Sequence, residues 1–426
     1  MAVKPTQLTI RAYGVGFGDC FLLTFRYGGQ TGERHVLVDF GSTQKPPNAR
    51  TNLLKAIADD IAAVTSGHLD VVVATHRHTD HISGFATRSD GKGPGDRIAA
   101  LKPSLVVQPW TEKPDAPQRW TGARALVDGA WTSSLALMRE VAAASLSETR
   151  HLPASAREEI QFIAKDGLTN LAAVKNLAQM GKKGTAVYAS HGTRLPIARL
   201  LPGVKVKVLG PPTLAQKADV ANQRAINRDE YWHFHSFWQL RARTTVLRAG
   251  TALFPKAEAY AAADIPPESR WFIRRLRQAR GEQLLRIVRA MDDALNNTSL
   301  ILLIQAGTKR FLFPGDAQWE NWEYALQRNA AELKNVDLYK VGHHGSLNAT
   351  PRTLWNLFAR RGGRAKARRL TTLASTRSNS KHGHRESHTE VPRETLIAEL
   401  RKHSHFRSTQ ELEGTDRMVL ELTFDL

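Results

Sequence analysis

Residues 71–86 read VVVATHRHTDHISGFA: an apolar run that ends in His76, His78, Asp80 and His81 within six positions. Imidazole nitrogens and carboxylate oxygens together suit Zn²⁺, Mn²⁺ or Fe. His76 and His78 are two apart, so on a tight loop both rings reach one cation. Asp80 and His81 follow at once and can turn toward a second. Two such ions lower the pKa of a shared water toward neutrality and neutralise the oxyanion that forms at phosphorus or at a carbonyl carbon. A solvated polar turn is the bland alternative. Chance rarely assembles H-x-H-x-D-H in a chain with 16 histidines among 426 residues.

The elements that position these residues follow from hydrophobic periodicity. QLTIRAYG (7–14), CFLLTFRYG (20–28) and ERHVLVDFGS (33–42) read as strands separated by Gly-containing turns. TNLLKAIADDIAAVTSG (51–67) reads as a helix with Thr51 as N-cap and Gly67 as stop. LDVVVATH (69–76) is then a buried strand, and its carboxyl end delivers the histidines to the edge where ligands bind in α/β sheets. PSLVVQPW (103–110) follows as another strand. Residues 113–200 read as mainly helical, GVKVKVLGPP (203–212) as a strand, and 213–295 as a second polar, helical stretch. From 298 the α/β pattern returns. Strands are expected at 298–307, 310–317, 336–346, 368–376 and 417–426, and helices at 318–333 and 392–403. No repeat with a period of 20–50 residues is visible.

The length allows one large domain or two to three ordinary ones. A single cysteine, Cys20, excludes an internal disulfide and a Cys-based zinc site. The first residues lack a basic segment leading into an apolar one, and no run is long enough to cross a bilayer. The expectation is a cytoplasmic, soluble protein with no membrane association. Lys and Arg number 60 against 40 Asp and Glu, a net charge of +20 that favours polyanionic partners.

Taken in order, GVGFGDCFLL (14–23), VLVDFGS (36–42), THRHTDH (75–81), NNTSLILLIQAGTKRFLFPGDA (296–317) and LYKVGHHGS (338–346) resemble the metallo-β-lactamase fold superfamily. Within it they are most similar to the ComEC/Rec2-like branch, with its G-x-G-D turn, N-x-S-L strand running into GDA, and K-V-x-H-H-G-S. GVGFGD leads into a strand rather than a helix, so it is not read as a dinucleotide-binding loop. The resemblance implies an α/β fold, an αββα sandwich with inserted helical regions. Residues 1–112 form the first half and 296–426 the second. Residues 113–202 form a helical insertion, 203–212 a core strand, and 213–295 a basic, aromatic-containing helical insertion. It also implies two divalent metal ions, zinc or manganese. Their ligands would be His76, His78, Asp80, His81, Asp316, His343 and a C-terminal histidine, His388 first and His384 second. Asp316 would bridge the ions and Asp39 would orient a ligand. Of His343 and His344 one would bind metal. The other, assigned as His344, would serve the leaving group or the oxyanion, so Asp80, His344 and Asp39 form the catalytic set. The chain departs from the pattern in two places. The branch often has Asp where His78 stands. The superfamily's metal-binding histidine after the next strand is missing, with Trp110 near its place. His191, His233 and His235 are alternatives for that ligand, each more ordinary as a surface or core histidine.

Substrate class is read from the remaining chain. RWFIRRLRQARGEQLLRIVRAM (270–291) reads as an amphipathic helix whose Arg274, Arg277 and Arg280 can face a phosphate chain. Lys340 and Ser346 join them as substrate-binding candidates. YWHFHSFWQLRAR (231–243) interleaves aromatic and basic residues, and ARRGGRAKARR (359–369) is a basic loop. The expected function is a two-metal phosphodiesterase, a nuclease acting on DNA, ahead of RNA, by metal-activated hydroxide. The alternatives are a small-molecule hydrolase (cyclic-nucleotide phosphodiesterase, lactonase or β-lactamase type) and a non-enzymatic nucleic-acid-binding module. An activating partner protein is left open.

Overall fold

The computed structural model describes residues 3–47, 49–113, 170–213, 215–217, 295–346, 350–378 and 390–426. The chain divides into two compact units, and the described residues belong to the one made from 1–130, 169–220 and 295–426. The other, 131–168 with 221–294, lies outside the described residues, and with it the expected arginine helix and the aromatic–basic segment.

Among the described residues two mixed sheets form. The first contains β1 (Pro5–Tyr13), β2 (Cys20–Tyr27), β3 (Glu33–Phe40), β4 (Val71–Val73), β5 (Leu105–Pro109), β6 (Thr185–Ala189) and β13 (Val419–Asp425). Its order is β13-β1-β2-β3-β4-β5-β6. β13 through β3 pair antiparallel and β3 through β6 pair parallel. The second contains β7 (Val204–Gly210), β8 (Ile301–Ala306), β9 (Lys309–Phe313), β10 (Leu338–Lys340), β11 (Thr371–Ala374) and β12 (His405–Ser408), in the order β12-β11-β10-β9-β8-β7. β7, β8 and β9 pair antiparallel, and β9 through β12 parallel.

Side-chain alternation along the strands makes the layers. Val71, Val73, Leu105 and Val107 point into one core with Leu302, Ile304, Phe311 and Leu338 from the other sheet. Val72 and Val106 point the opposite way, against α1 (Leu53–Val64), α3 (Pro94–Ala100) and α4 (Leu171–Lys183). Ile301, Leu303 and Tyr339 likewise meet α5 (Trp319–Leu333), α6 (Arg352–Leu357) and α7 (Glu394–His403). The result is helices, sheet, sheet, helices. α1 shows why: Leu53, Ile57, Ala58, Ile61 and Ala62 are its buried residues and form one stripe.

Three expectations change. The stretch 113–202 is not wholly a helical insertion: within it β6 completes the first sheet, pairing with β5 from Leu105↔Thr185 to Pro109↔Ala189, and α4 packs on that sheet's face. β12 was not expected at all. Both are short edge strands whose side chains are exposed or half-buried except at the last residue, Ala189 or Ser408, so neither carries a period-two apolar pattern. The helix expected from a Thr51 cap starts at Leu53, with Asn52 before it and no side-chain cap bond.

The parallel halves bring the carboxyl ends of β3, β4, β9, β10 and β11 to one edge, where Leu300 N donates to Thr75 O across the two sheets at 2.9 Å. The 75–81 loop there is clamped by the chain after β3. A Cβ on Gly41 would stand 2.5 Å from Asp80 C, His81 N and Thr79 O. Gly28 has nothing within 4 Å of its Cβ position. Gly41→Ala is therefore expected to cost about 1–3 kcal/mol in urea denaturation through enforced backbone shifts. Gly28→Ala is expected to stay within about 0.5 kcal/mol.

Candidate metal centre

The loop after β4 turns into a short helix, α2 (Thr79–Ile82), which sets Asp80 and His81 at its first turn. Asp39 arrives from the end of β3 as a bulged residue. Cys20 pairs with Phe40 and Phe21 with Val38, so Asp39 has no partner across the ladder, and its φ is 56°. From the second sheet, the turn after β9 supplies Asp316 and the turn after β10 supplies His343 and His344. Both histidines have positive φ, 42° and 51°. Such backbone costs about 1–3 kcal/mol per residue and persists where surrounding contacts over-determine it.

Each side chain is held from behind. Asp39 accepts from Thr75 N and Thr75 Oγ1, both at 2.7 Å, and its Oδ2 lies 2.8 Å from His81 Nδ1. His81 Nε2 is thereby turned toward Asp316 Oδ2, 3.0 Å away. His344 Nδ1 lies 2.9 Å from Ser375 O at the end of β11, and its Nε2 is 2.8 Å from Asp80 Oδ2. His76 Nε2 and His78 Nδ1 are 3.1 Å apart. Asp316 Oδ1 accepts from His343 N at 3.0 Å.

These contacts test whether a cation fits. Ser375 O only accepts, so His344 Nδ1 carries hydrogen, and a neutral ring would then point the lone pair of Nε2 at an Asp80 oxygen 2.8 Å away. His81 is in the same position between Asp39 and Asp316. Each ring faces an acceptor on both nitrogens, and only positive charge between the partners relieves the repulsion. Without a cation, protons take that role. Burial would lower both imidazoles, yet Asp316 and Asp80, with further carboxylates, hold His344 above the ordinary histidine range and His81 well above it. Burial would raise Asp80 and Asp316, but His81 and His344 outweigh it and keep both well below the usual carboxylate range. Burial keeps Asp39 raised and His76 well below the usual histidine value.

Asp80, His81, Asp316 and His344 can hold a metal ion, their ligand atoms lying within 4.8 Å of one another and all four residues buried. His76, His78 and Asp80 form a second such group, and Asp19, Asp39 and His81 a third. Asp80 is common to the first two; Asp316 belongs to the first only. His344, rather than His343, enters the cluster. The positive φ at both positions turns one ring inward and leaves the His343 side chain 26% exposed, with Nε2 3.9 Å from Asp316 Oδ2. Lys340 is not at the surface where a substrate would meet it. Its side chain is 1% exposed, ion-paired with Asp19, 3.7 Å from Asp316 Oδ1 and 3.4 Å from Gly315 O. Burial would lower its ammonium, but Asp19 and Asp316 raise it. Ser346 is buried beside the His343–Gly345 turn, its N donating to His343 O at 2.8 Å. His191 is engaged elsewhere, 3.1 Å from Asn329 Oδ1 and edge-on to Tyr324. His384, His388, His233, His235, Arg274, Arg277 and Arg280 lie outside the described residues.

Asp19 is the residue that the motif reading left without a role. It is buried, 3.5 Å from His344 Nδ1 and 3.7 Å from His81 Nδ1, and its N donates to Asp80 O at 2.9 Å. The G-D pair before β2 was its signal, hidden because β2 is far from β4 in sequence. Comparison with known proteins returned no matching family model and no matching curated protein. No helix among the described residues is long and apolar enough to cross a membrane.

Asp39→Asn removes the acceptor charge that orients His81, and equilibrium dialysis against Mn²⁺ or Zn²⁺ is expected to show affinity down about 10–100-fold. Lys340→Met leaves Asp19 buried without its counter-charge. Urea denaturation of the metal-free protein is expected to show a loss of about 3–5 kcal/mol.

Proposed function

We propose that this chain is a metal-dependent phosphodiesterase of the metallo-β-lactamase fold superfamily, close to its ComEC/Rec2-like branch, cleaving nucleic acid. The observation that carries the reading is the pair of imidazoles, His81 and His344, each set between acceptors on both nitrogens in a buried cluster of carboxylates. His76, His78 and Asp80 would hold one divalent cation, zinc or manganese, and Asp80, His81, Asp316 and His344 a second. When bound, such ions supply a nucleophile at neutral pH and Lewis-acid stabilisation of an oxyanion.

The protein's own contribution is orientation. Asp39 and Thr75 fix the His81 ring, Ser375 fixes His344, and Lys340 balances Asp19 and Asp316. Burial holds the His343 imidazole below the ordinary histidine range, so the neutral ring, its side chain 26% exposed and its Nε2 3.9 Å from Asp316 Oδ2, would offer an N–H to the oxygen that departs. The net charge of +20 favours a polyanionic substrate over a neutral lactone or lactam.

Wild-type protein and Asp316→Ala are to be incubated with end-labelled single- and double-stranded DNA in Mn²⁺ and in Zn²⁺. Cleavage by the wild type, reduced at least about 10³-fold in the variant and falling steeply with salt, is the expected outcome. Failure to cleave either form, with hydrolysis of cyclic nucleotides or lactones at a rate indifferent to salt, overturns the nucleic-acid reading and leaves a small-molecule hydrolase.

A further inference from the structure

At the opposite end of β11 from the metal centre lies an open basin of about 760 Å³, lined by Arg364, Arg369, Thr371, Arg401, Ser404, His405 and Phe406. Among the described residues no carboxylate lines it. We infer that this basin is a second anion-binding site, one that grips the phosphodiester backbone of a nucleic acid strand away from the site of cleavage. The choice of polymer rests on the function proposed above.

The arginines divide into one that builds the basin and two that face its ligand. Arg369 is committed to the scaffold: its Nε donates to Gly362 O and its Nη2 to Lys402 O, both at 2.8 Å. It thereby caps carbonyls at the carboxyl end of α7, the end whose partial negative charge would otherwise repel an anion. Arg364 and Arg401 are exposed. Arg401 lies over the Phe406 ring, 5.7 Å from its centroid, which restrains the guanidinium at the rim. Nearby acids are taken up by other partners. Glu399 accepts from Trp355 Nε1 at 2.9 Å, and Glu411 pairs with Arg407 at 2.9 Å. Lys402 and Arg368 add exposed positive charge beside the basin. Planar guanidinium forks match phosphate oxygens two at a time.

A lipid surface is the other polyanion to weigh. Among the described residues the exposed large hydrophobic side chains are Val3 and Leu171, neither in the basin. Nothing there would enter a bilayer, which favours a soluble polymer. Thr371 opens onto the basin and Ser375 holds His344. At the rise of a strand, these positions are about 13 Å apart. A long strand can reach both sites, whereas a short phosphodiester can fill only one.

The test compares the full-length wild type with Arg364→Ala/Arg401→Ala in EDTA, reading anisotropy of a labelled single-stranded oligonucleotide over a range of salt. Two lost phosphate contacts are expected to weaken binding roughly tenfold and to reduce the salt slope by about 1.4. Hydrolysis of bis(p-nitrophenyl) phosphate in Mn²⁺ should be unchanged. Unaltered affinity and slope overturn the proposal even if the wild type cleaves DNA. Lost binding stands in its favour even if no cleavage is found, in which case only the catalytic reading falls. Intact oligonucleotide binding with lost binding to phosphatidylserine vesicles overturns it in favour of lipid.

Discussion

Burying Asp19, Asp39, Asp80 and Asp316 together is the constraint on which this structure depends. Charge removed from water is tolerated only when it is paired and hydrogen-bonded. Lys340 supplies one fixed positive charge, shared between Asp19 and Asp316. His81 and His344 complete the balance by holding protons or by yielding their Nε2 atoms to cations. The same carboxylates that make the centre costly to bury make it selective for positive charge.

Rigidity comes from two sheets that meet at one edge. β3 and β4 deliver Asp39 and the 75–81 loop, and β9, β10 and β11 deliver Asp316, His344 and Ser375. The strained positions, Asp39, His343 and His344, lie at strand ends or in the turns that follow them, and they are locked by backbone contacts such as Asp19 N to Asp80 O and His343 N to Asp316 Oδ1. Strain at such sites is compatible with pre-organisation, since the ordered backbone leaves little for a ligand to rearrange.

The His/Asp cluster and the arginine-lined basin lie at opposite ends of the second sheet's parallel half. The carboxyl ends of its strands carry the acidic cluster, and the amino ends of β11 and β12 carry the arginine basin. The separation keeps the guanidinium forks from collapsing onto the cluster's carboxylates, which would neutralise both.

Much of the centre was legible in sequence. His76, His78, Asp80 and His81 share one loop, and an apolar run before them places that loop at a strand's carboxyl end. Asp39, Asp316 and the His343–His344 pair also end apolar runs, but they were legible as site residues only through the order of motifs that resembles the metallo-β-lactamase superfamily. Local pattern could not say which of the two adjacent histidines turns inward, because that depends on the backbone of the turn after β10 and on Ser375 from β11. It could not find the role of Asp19 or the burial of Lys340, since their ion pair joins the turn before β2 in one sheet to the end of β10 in the other. Nor could it see β6 and β12, edge strands whose partners, not whose residues, make them strands. Sequence determined which ligand types stand at which strand ends, because periodicity is local. Tertiary structure decided which atoms meet, because charge balance in a buried cluster is a property of all its members at once.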